Sequence, residues 1–205
     1  MKISVNNLKK SFGNHTLFEN LSFEINPGTI TCIYGVSGSG KTTLLNILGL
    51  IEKYDSGIIT YDGKSVNSSR KKRQFLSSKI GFVFQNFALI EDETVVENLK
   101  ILKRLKGQKG TNEIQSALKE FGLAGFENRK IYELSGGEQQ RVALVKMYLK
   151  ECDLVLADEP TASLDEENKK IVVSVLKRFS EQGKTVIIVT HDYSLFEHCD
   201  QLIKI

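Results

Sequence analysis

Apolar residues fall along this chain in short bursts that alternate between two periods. Thr29-Ile30-Thr31-Cys32-Ile33-Tyr34, Ile80-Gly81-Phe82-Val83-Phe84, Leu154-Val155-Leu156-Ala157 and Val186-Ile187-Ile188-Val189 are nearly unbroken apolar runs, the pattern of strands buried on both faces. Lys2-Ile3-Ser4-Val5 and Leu21 to Asn26 alternate instead, and the first reads as an edge strand. Asp55-Ser56-Gly57 and Asp62-Gly63 bracket Ile58 to Tyr61, so a small antiparallel sheet is expected near the N-terminus. Between the buried runs the period becomes helical. Thr43 to Leu48 opens one helix, and Val95, Leu99, Leu102 and Leu105 share a face of another. Ile114, Leu118 and Phe121 mark a third, with Gly107 to Gly110 as the intervening loop. Leu144, Met147 and Tyr148 recur on one face after Ser135. Ile171, Val172, Val175, Leu176 and Phe179 do so after Asp165, which stands at an N-cap position with Glu166 and Glu167 behind it. A short helix and a strand from Gln201 to Ile205 close the sequence.

Strands alternating with helices, with polar residues gathered at strand ends, predict an α/β fold with a mainly parallel sheet and a site at its carboxyl edge. The helical stretch interrupts this alternation. The expectation is therefore a single domain over 1–205, with a core of 1–85 and 151–205 and an inserted helical subdomain over about 86–150.

Composition narrows the class only slightly. Hydrophobic residues make up 40% and charged residues 26%, an ordinary globular balance, and a net charge of +3 is too small to imply nucleic acid. Four of the 28 Lys and Arg residues stand together in Arg70-Lys71-Lys72-Arg73, read as a solvated helix face. The three cysteines, Cys32, Cys152 and Cys199, lack metal-ligand spacing and read as thiols in a reducing compartment. No apolar run approaches the roughly 18–20 residues that span a bilayer, and the first residues lack a signal-peptide core, so a cytosolic location is expected.

Chemistry enters at Gly35-Val36-Ser37-Gly38-Ser39-Gly40-Lys41-Thr42. Placed between a buried strand and a helix, this glycine-rich turn points backbone N–H groups inward, and the helix start adds partial positive charge. Lys41 can reach β- and γ-phosphates and Thr42 can ligate Mg²⁺. The run before Asp158 and Glu159 delivers two carboxylates beside that loop. Asp158 can hold the metal, while Glu159, with no evident structural partner, can orient an attacking water. Ser135-Gly136-Gly137 forms a second helix start with glycines and a hydroxyl but no lysine, and on spacing alone it is equally an N-cap.

GVSGSGKT, Gln85, LSGGEQQR, LVLADE, Ala162 to Asp165 and His191 stand in the order found in ATP-binding-cassette ATPases, which the whole chain resembles. IGFVFQNFALI and the chain's brevity resemble the branch serving lipoprotein release, macrolide export and bacteriocin export. The resemblance implies that ATP and Mg²⁺ are the cofactors. It puts Lys41, Ser39, Gly40 and Thr43 on phosphate, and Thr42, Gln85 and Asp158 near the metal. Glu159 becomes the base, His191 contacts the γ-phosphate, and Ser135 and Gly137 reach the nucleotide of a second copy, with Asp165 at the seam. Phe12 stands where the family usually has a tyrosine under the adenine, and Val145-Lys146-Met147 where it often has Ala-Arg-Ala. The implied partners are transmembrane permease subunits, which the chain meets peripherally at the inner face of the cell membrane, and a second copy in a head-to-tail, ATP-dependent dimer, with no nucleic acid. The implied function is to power export through dimer closure; the alternative is a regulator of a membrane complex that moves no substrate. A chromosome-maintenance ATPase would need a long heptad insertion between loop and signature, which is missing.

Overall fold

The computed structural model describes residues 1–84, 88–102, 107–162 and 164–205. Strands β1 (Ile3–Phe12) and β2 (His15–Ile25) form a hairpin, followed by β3 (Ile30–Tyr34), α1 (Lys41–Leu48), β4 (Ser56–Tyr61), α2 (Ser69–Ser78) and β5 (Ile80–Val83). Helices α3 (Val95–Lys100), α4 (Gly107–Glu120) and α5 (Gly136–Leu149) come next. The chain then returns through β6 (Leu154–Asp158), α6 (Glu166–Glu181), β7 (Thr185–Val189), a 3₁₀ turn (Tyr193–His198) and β8 (Gln201–Lys204). Two sheets result: antiparallel β2-β1-β4 and parallel β5-β6-β7-β3-β8.

The continuous apolar runs are buried on both faces of the parallel sheet because each strand sends alternate side chains into two separate cores. Leu154, Leu156, Ile187 and Val189 join α1 and the antiparallel sheet on one side. Val155, Ala157, Val186 and Ile188 join α3 to α6 on the other. Because the strands are parallel, their carboxyl ends lie along a single edge, where the loops after β3, β6 and β7 meet.

Two local expectations need correction. β1 is the middle strand of its sheet, not an edge: β2 pairs on one side and β4 on the other, from Ile3 opposite Tyr61 to Lys9 opposite Ser56. The alternation reported a half-buried face, which edge and middle strands share. Gly107 to Gly110 is also not a loop, since α4 begins at Gly107. Glycine costs least in a first helical turn, whose N–H groups have no intrahelical acceptors in any case. Leu105 lies outside the described residues, while Val95, Leu99, Ile114 and Leu118 are fully buried as the helical period predicts.

Candidate functional site

β3 runs into the glycine-rich loop, which needs its glycines for geometry. A Cβ at Gly35 would run into the Ile205 carbonyl beside β8, and Gly38 and Gly40 adopt left-handed φ of 82° and 97°. Gly40 caps α1 without a side-chain hydrogen bond, so the helix start stays open to an external acceptor. Lys41 Nζ donates to the loop carbonyls of Gly35 and Val36 at 3.1 and 2.9 Å. The Ser39 hydroxyl is buried and has no hydrogen-bond partner among the described residues. An ammonium resting on neutral carbonyls, an orphaned hydroxyl and an open helix start together fit a phosphate chain.

Asp158 closes β6 and accepts a hydrogen bond from the Thr42 hydroxyl at 3.2 Å. Burial pushes its carboxyl above the ordinary range and the neighbouring Glu159 adds to this, while Thr42 and Lys41 pull the other way. The pair of Thr42 and Asp158 is a two-oxygen donor set suited to a hard divalent cation.

Glu159 turns out to have two partners, contrary to the sequence expectation. Its backbone takes a left-handed φ of 47°, and its N–H still bonds to the Val189 carbonyl at 2.8 Å. That anchors the residue to β7, whose next residues meet its carboxylate. Thr190 Oγ1 donates to Oε2 at 3.0 Å, and His191 Nδ1 lies 2.7 Å from Oε1. Thr190 is the residue that sequence reasoning missed. The signal was a polar side chain at the end of an apolar run, next to a histidine, and the structure shows it fully buried with its oxygen also accepting the Asp192 N–H at 3.0 Å.

Phe12 and Leu17 of the hairpin face the loop across a cleft of about 410 Å³. Ser37, Gly38 and Gly40 to Thr43 border its floor, and Glu159 and His191 its far side. Gly35 and Ser39 are not among its lining residues. Ser135, Gly136, Gly137 and Asp165 do not line the cleft and form a unit of their own. Ser135 caps α5, accepting from the Glu138 N–H at 3.3 Å while Glu138 accepts the Ser135 N–H at 2.8 Å. Asp165 caps α6 through the Asn168 N–H at 2.8 Å and also holds the Asn168 amide, which lies against Gly137 so closely that a Cβ there would sit 2.5 Å from Asn168 Nδ2. Gln140 ties α5 to the segment after β6 by donating to the Pro160 carbonyl at 3.0 Å. Gln85 lies outside the described residues.

Residues 18–162 match the family described as ABC transporter. The chain belongs to the ABC transporter family. The cassette is 40% identical over 196 residues to the lipoprotein-releasing system ATP-binding protein LolD of Aquifex aeolicus, covering 93% of this chain and 88% of that protein. It is 34% identical over 210 residues to the macrolide export ATP-binding/permease protein MacB of Pasteurella multocida, covering 98% of this chain. The cassette spans about a third (32%) of that protein's length. Among solved structures, the dimer of an ATP-binding cassette in a post-hydrolysis state with ADP and Pi superposes with a TM-score of 0.87 and 33% identity, covering 99% of this chain and 94% of that one.

Proposed function

We propose that the cassette binds and hydrolyses ATP as the motor subunit of a membrane export complex of the lipoprotein-release and macrolide-export kind, sitting peripherally on the inner face of the membrane against permease subunits. The observation that carries this reading is the single cleft joining the phosphate loop, Phe12 and the pair of Glu159 and His191. In this reading Lys41 leaves the Gly35 and Val36 carbonyls for the β- and γ-phosphates, with Gly38, Ser39, Gly40 and Thr43 donating around them. Thr42 and Asp158, together with Gln85, are the residues that would hold Mg²⁺. Bound Mg²⁺ supplies charge neutralisation of the phosphate oxygens. Phe12 stacks on the base, and its phenyl face accepts either purine. Glu159 accepts a hydrogen bond from the attacking water, and its fixed carboxylate sets the water's direction, while His191 is left exposed toward the γ-phosphate. The segment over about 86–150 acts as the helical subdomain carrying the signature.

Ser135, Gly136, Gly137 and Asp165 complete the site of a second copy across a two-fold axis. Their separation from the cassette's own cleft supports that assignment, as does a dimeric structural neighbour. The test is Glu159→Gln, which keeps the shape and removes the acceptor charge. It should bind ATP, lose most hydrolysis and form a dimer with ATP but far less with ADP in light scattering. Adding Ser135→Arg should abolish the dimer and spare ATP binding. Near wild-type turnover in the first variant, or a normal ATP dimer in the second, overturns the reading.

A further inference from the structure

Among the described residues, Lys10 is the one charged side chain that is buried, at 5% exposure. Nothing in the catalytic reading uses it. A buried ammonium is costly unless it is paired and fully hydrogen-bonded, so its position calls for a reason. Lys10 Nζ is paired with Glu52 Oε1 at 2.7 Å and donates to the Lys53 carbonyl at 2.8 Å, both on the segment that follows α1. The ammonium holds the Glu52 carboxyl below its ordinary range, consistent with a persistent pair. The same nitrogen lies 4.2 Å from the centroid of the Phe12 ring. Phe12 is 52% exposed and lines the cleft, so a half-exposed ring at the cleft carries a cation over one of its faces.

We infer that Lys10 is a positioning residue for the base: buried beneath Phe12, it fixes the ring as a stacking platform and orders an ammonium, a phenyl ring and a purine into three layers. This rests on the reading of Phe12 as the base contact. The geometry explains how a phenylalanine serves here. A bare phenyl group on an exposed hairpin end has no hydroxyl to hold it, and only two torsions separate its bound orientation from others. A cation centred on the ring favours one orientation, because the attraction to the π face is directional. The cation itself is held by Glu52 and the Lys53 carbonyl. The loop after α1 thereby reaches the base subsite without touching nucleotide.

The readout must separate the base from the phosphates. ATP and inorganic tripolyphosphate are titrated into the purified cassette and into the Lys10→Met, Lys10→Arg and Phe12→Ala variants. Methionine keeps the unbranched stem and loses the charge. Its expected effect is an ATP affinity lowered by about two- to fivefold, the range of one such cation–ring contact, with tripolyphosphate affinity unchanged. Arginine should restore the ATP value. Equal losses for ATP and tripolyphosphate in Lys10→Met, or unchanged ATP affinity, overturn the inference. Phe12→Ala distinguishes the two levels: if it leaves ATP affinity intact, the Phe12 reading itself falls; if it weakens ATP while Lys10→Met does not, only the role of Lys10 falls. Should Lys10→Met fail to fold, Glu52→Gln gives the second test. It frees the ammonium from its anchor and should lower ATP but not tripolyphosphate affinity; no change, or equal change, refutes the inference.

Discussion

Thr190→Val removes one oxygen from a fully buried residue and keeps its shape, so its consequences can be worked from the two hydrogen bonds that oxygen makes. One is donated to Glu159 Oε2 at 3.0 Å and the other accepted from the Asp192 N–H at 3.0 Å. A hydrogen bond to a charged group contributes about 1.5–3 kcal/mol, and a buried N–H left unpaired costs about 1–3 kcal/mol. The fold should therefore lose on the order of 2.5–6 kcal/mol, a substantial part of a typical domain's stability. In the proposed mechanism the first bond also fixes the carboxylate that aims the attacking water, and losing about 1.4 kcal/mol of that alignment in the transition state would slow turnover about tenfold. In the same proposal ATP is bound in the ground state by the phosphate loop and Phe12, which the hydroxyl does not touch. Phosphate release at saturating Mg-ATP should thus fall about tenfold or more, with ATP affinity within about twofold of wild type. Thr190→Ser, which keeps the oxygen, should restore turnover. Wild-type turnover in the valine variant refutes the argument, and an equal deficit in the serine variant assigns the effect to the lost methyl group instead.

Asp158 supplies a test with a defined sign. Burial raises its folded-state pKa above the ordinary 3.8, so the native chain binds its proton more tightly than the unfolded chain does. Stability contributed by this group therefore falls as pH rises from about 3.8 through the raised value and stays lowered above it. Asp158→Asn should accordingly melt higher than wild type near neutral pH without nucleotide, lose that advantage in acid, and no longer gain stability from Mg-ATP beyond that from ATP alone; a lower melting point at neutral pH sinks the argument. Gly137→Ala places a Cβ 2.5 Å from Asn168 Nδ2 and must displace the amide from Asp165. Introduced into Glu159→Gln, it should weaken the ATP-dependent dimer in light scattering while leaving ATP affinity intact, and an undiminished dimer would show that the contact of Asn168 with Gly137 does not support the seam.

The phosphate loop, the strand ahead of it and the carboxylates at the end of β6 were legible because each is encoded by neighbours in sequence: a run of apolar residues, then glycines or acids. Asp165 and Ser135 were legible as helix caps for the same reason, and both cap as expected. Partners that arrive from distant strands were not. Thr190 reaches Glu159 only because β6 and β7 lie side by side, from Leu154 opposite Thr185 to Asp158 opposite Val189. Nothing beside Lys10 in the sequence marks it for burial. Its burial depends on Glu52, 42 positions away, whose approach no local period announces. The middle position of β1 was hidden for a related reason, since pairing with β4 is decided by where a turn sends the chain.

The contact of Asn168 with Gly137 joins the start of α5 to the cap of α6 before any partner arrives. In the proposed pair these two points meet the opposite copy together, so closure does not require two loops to find their places in sequence. The conformational freedom that association usually removes has already been surrendered in folding the single chain. Closure should then behave as one concerted contact, with ATP at the two clefts deciding whether it forms and little intrinsic attraction between bare surfaces. A motor that must separate after every turnover gains from that arrangement: the halves are pre-shaped to meet, and only the nucleotide makes the meeting last.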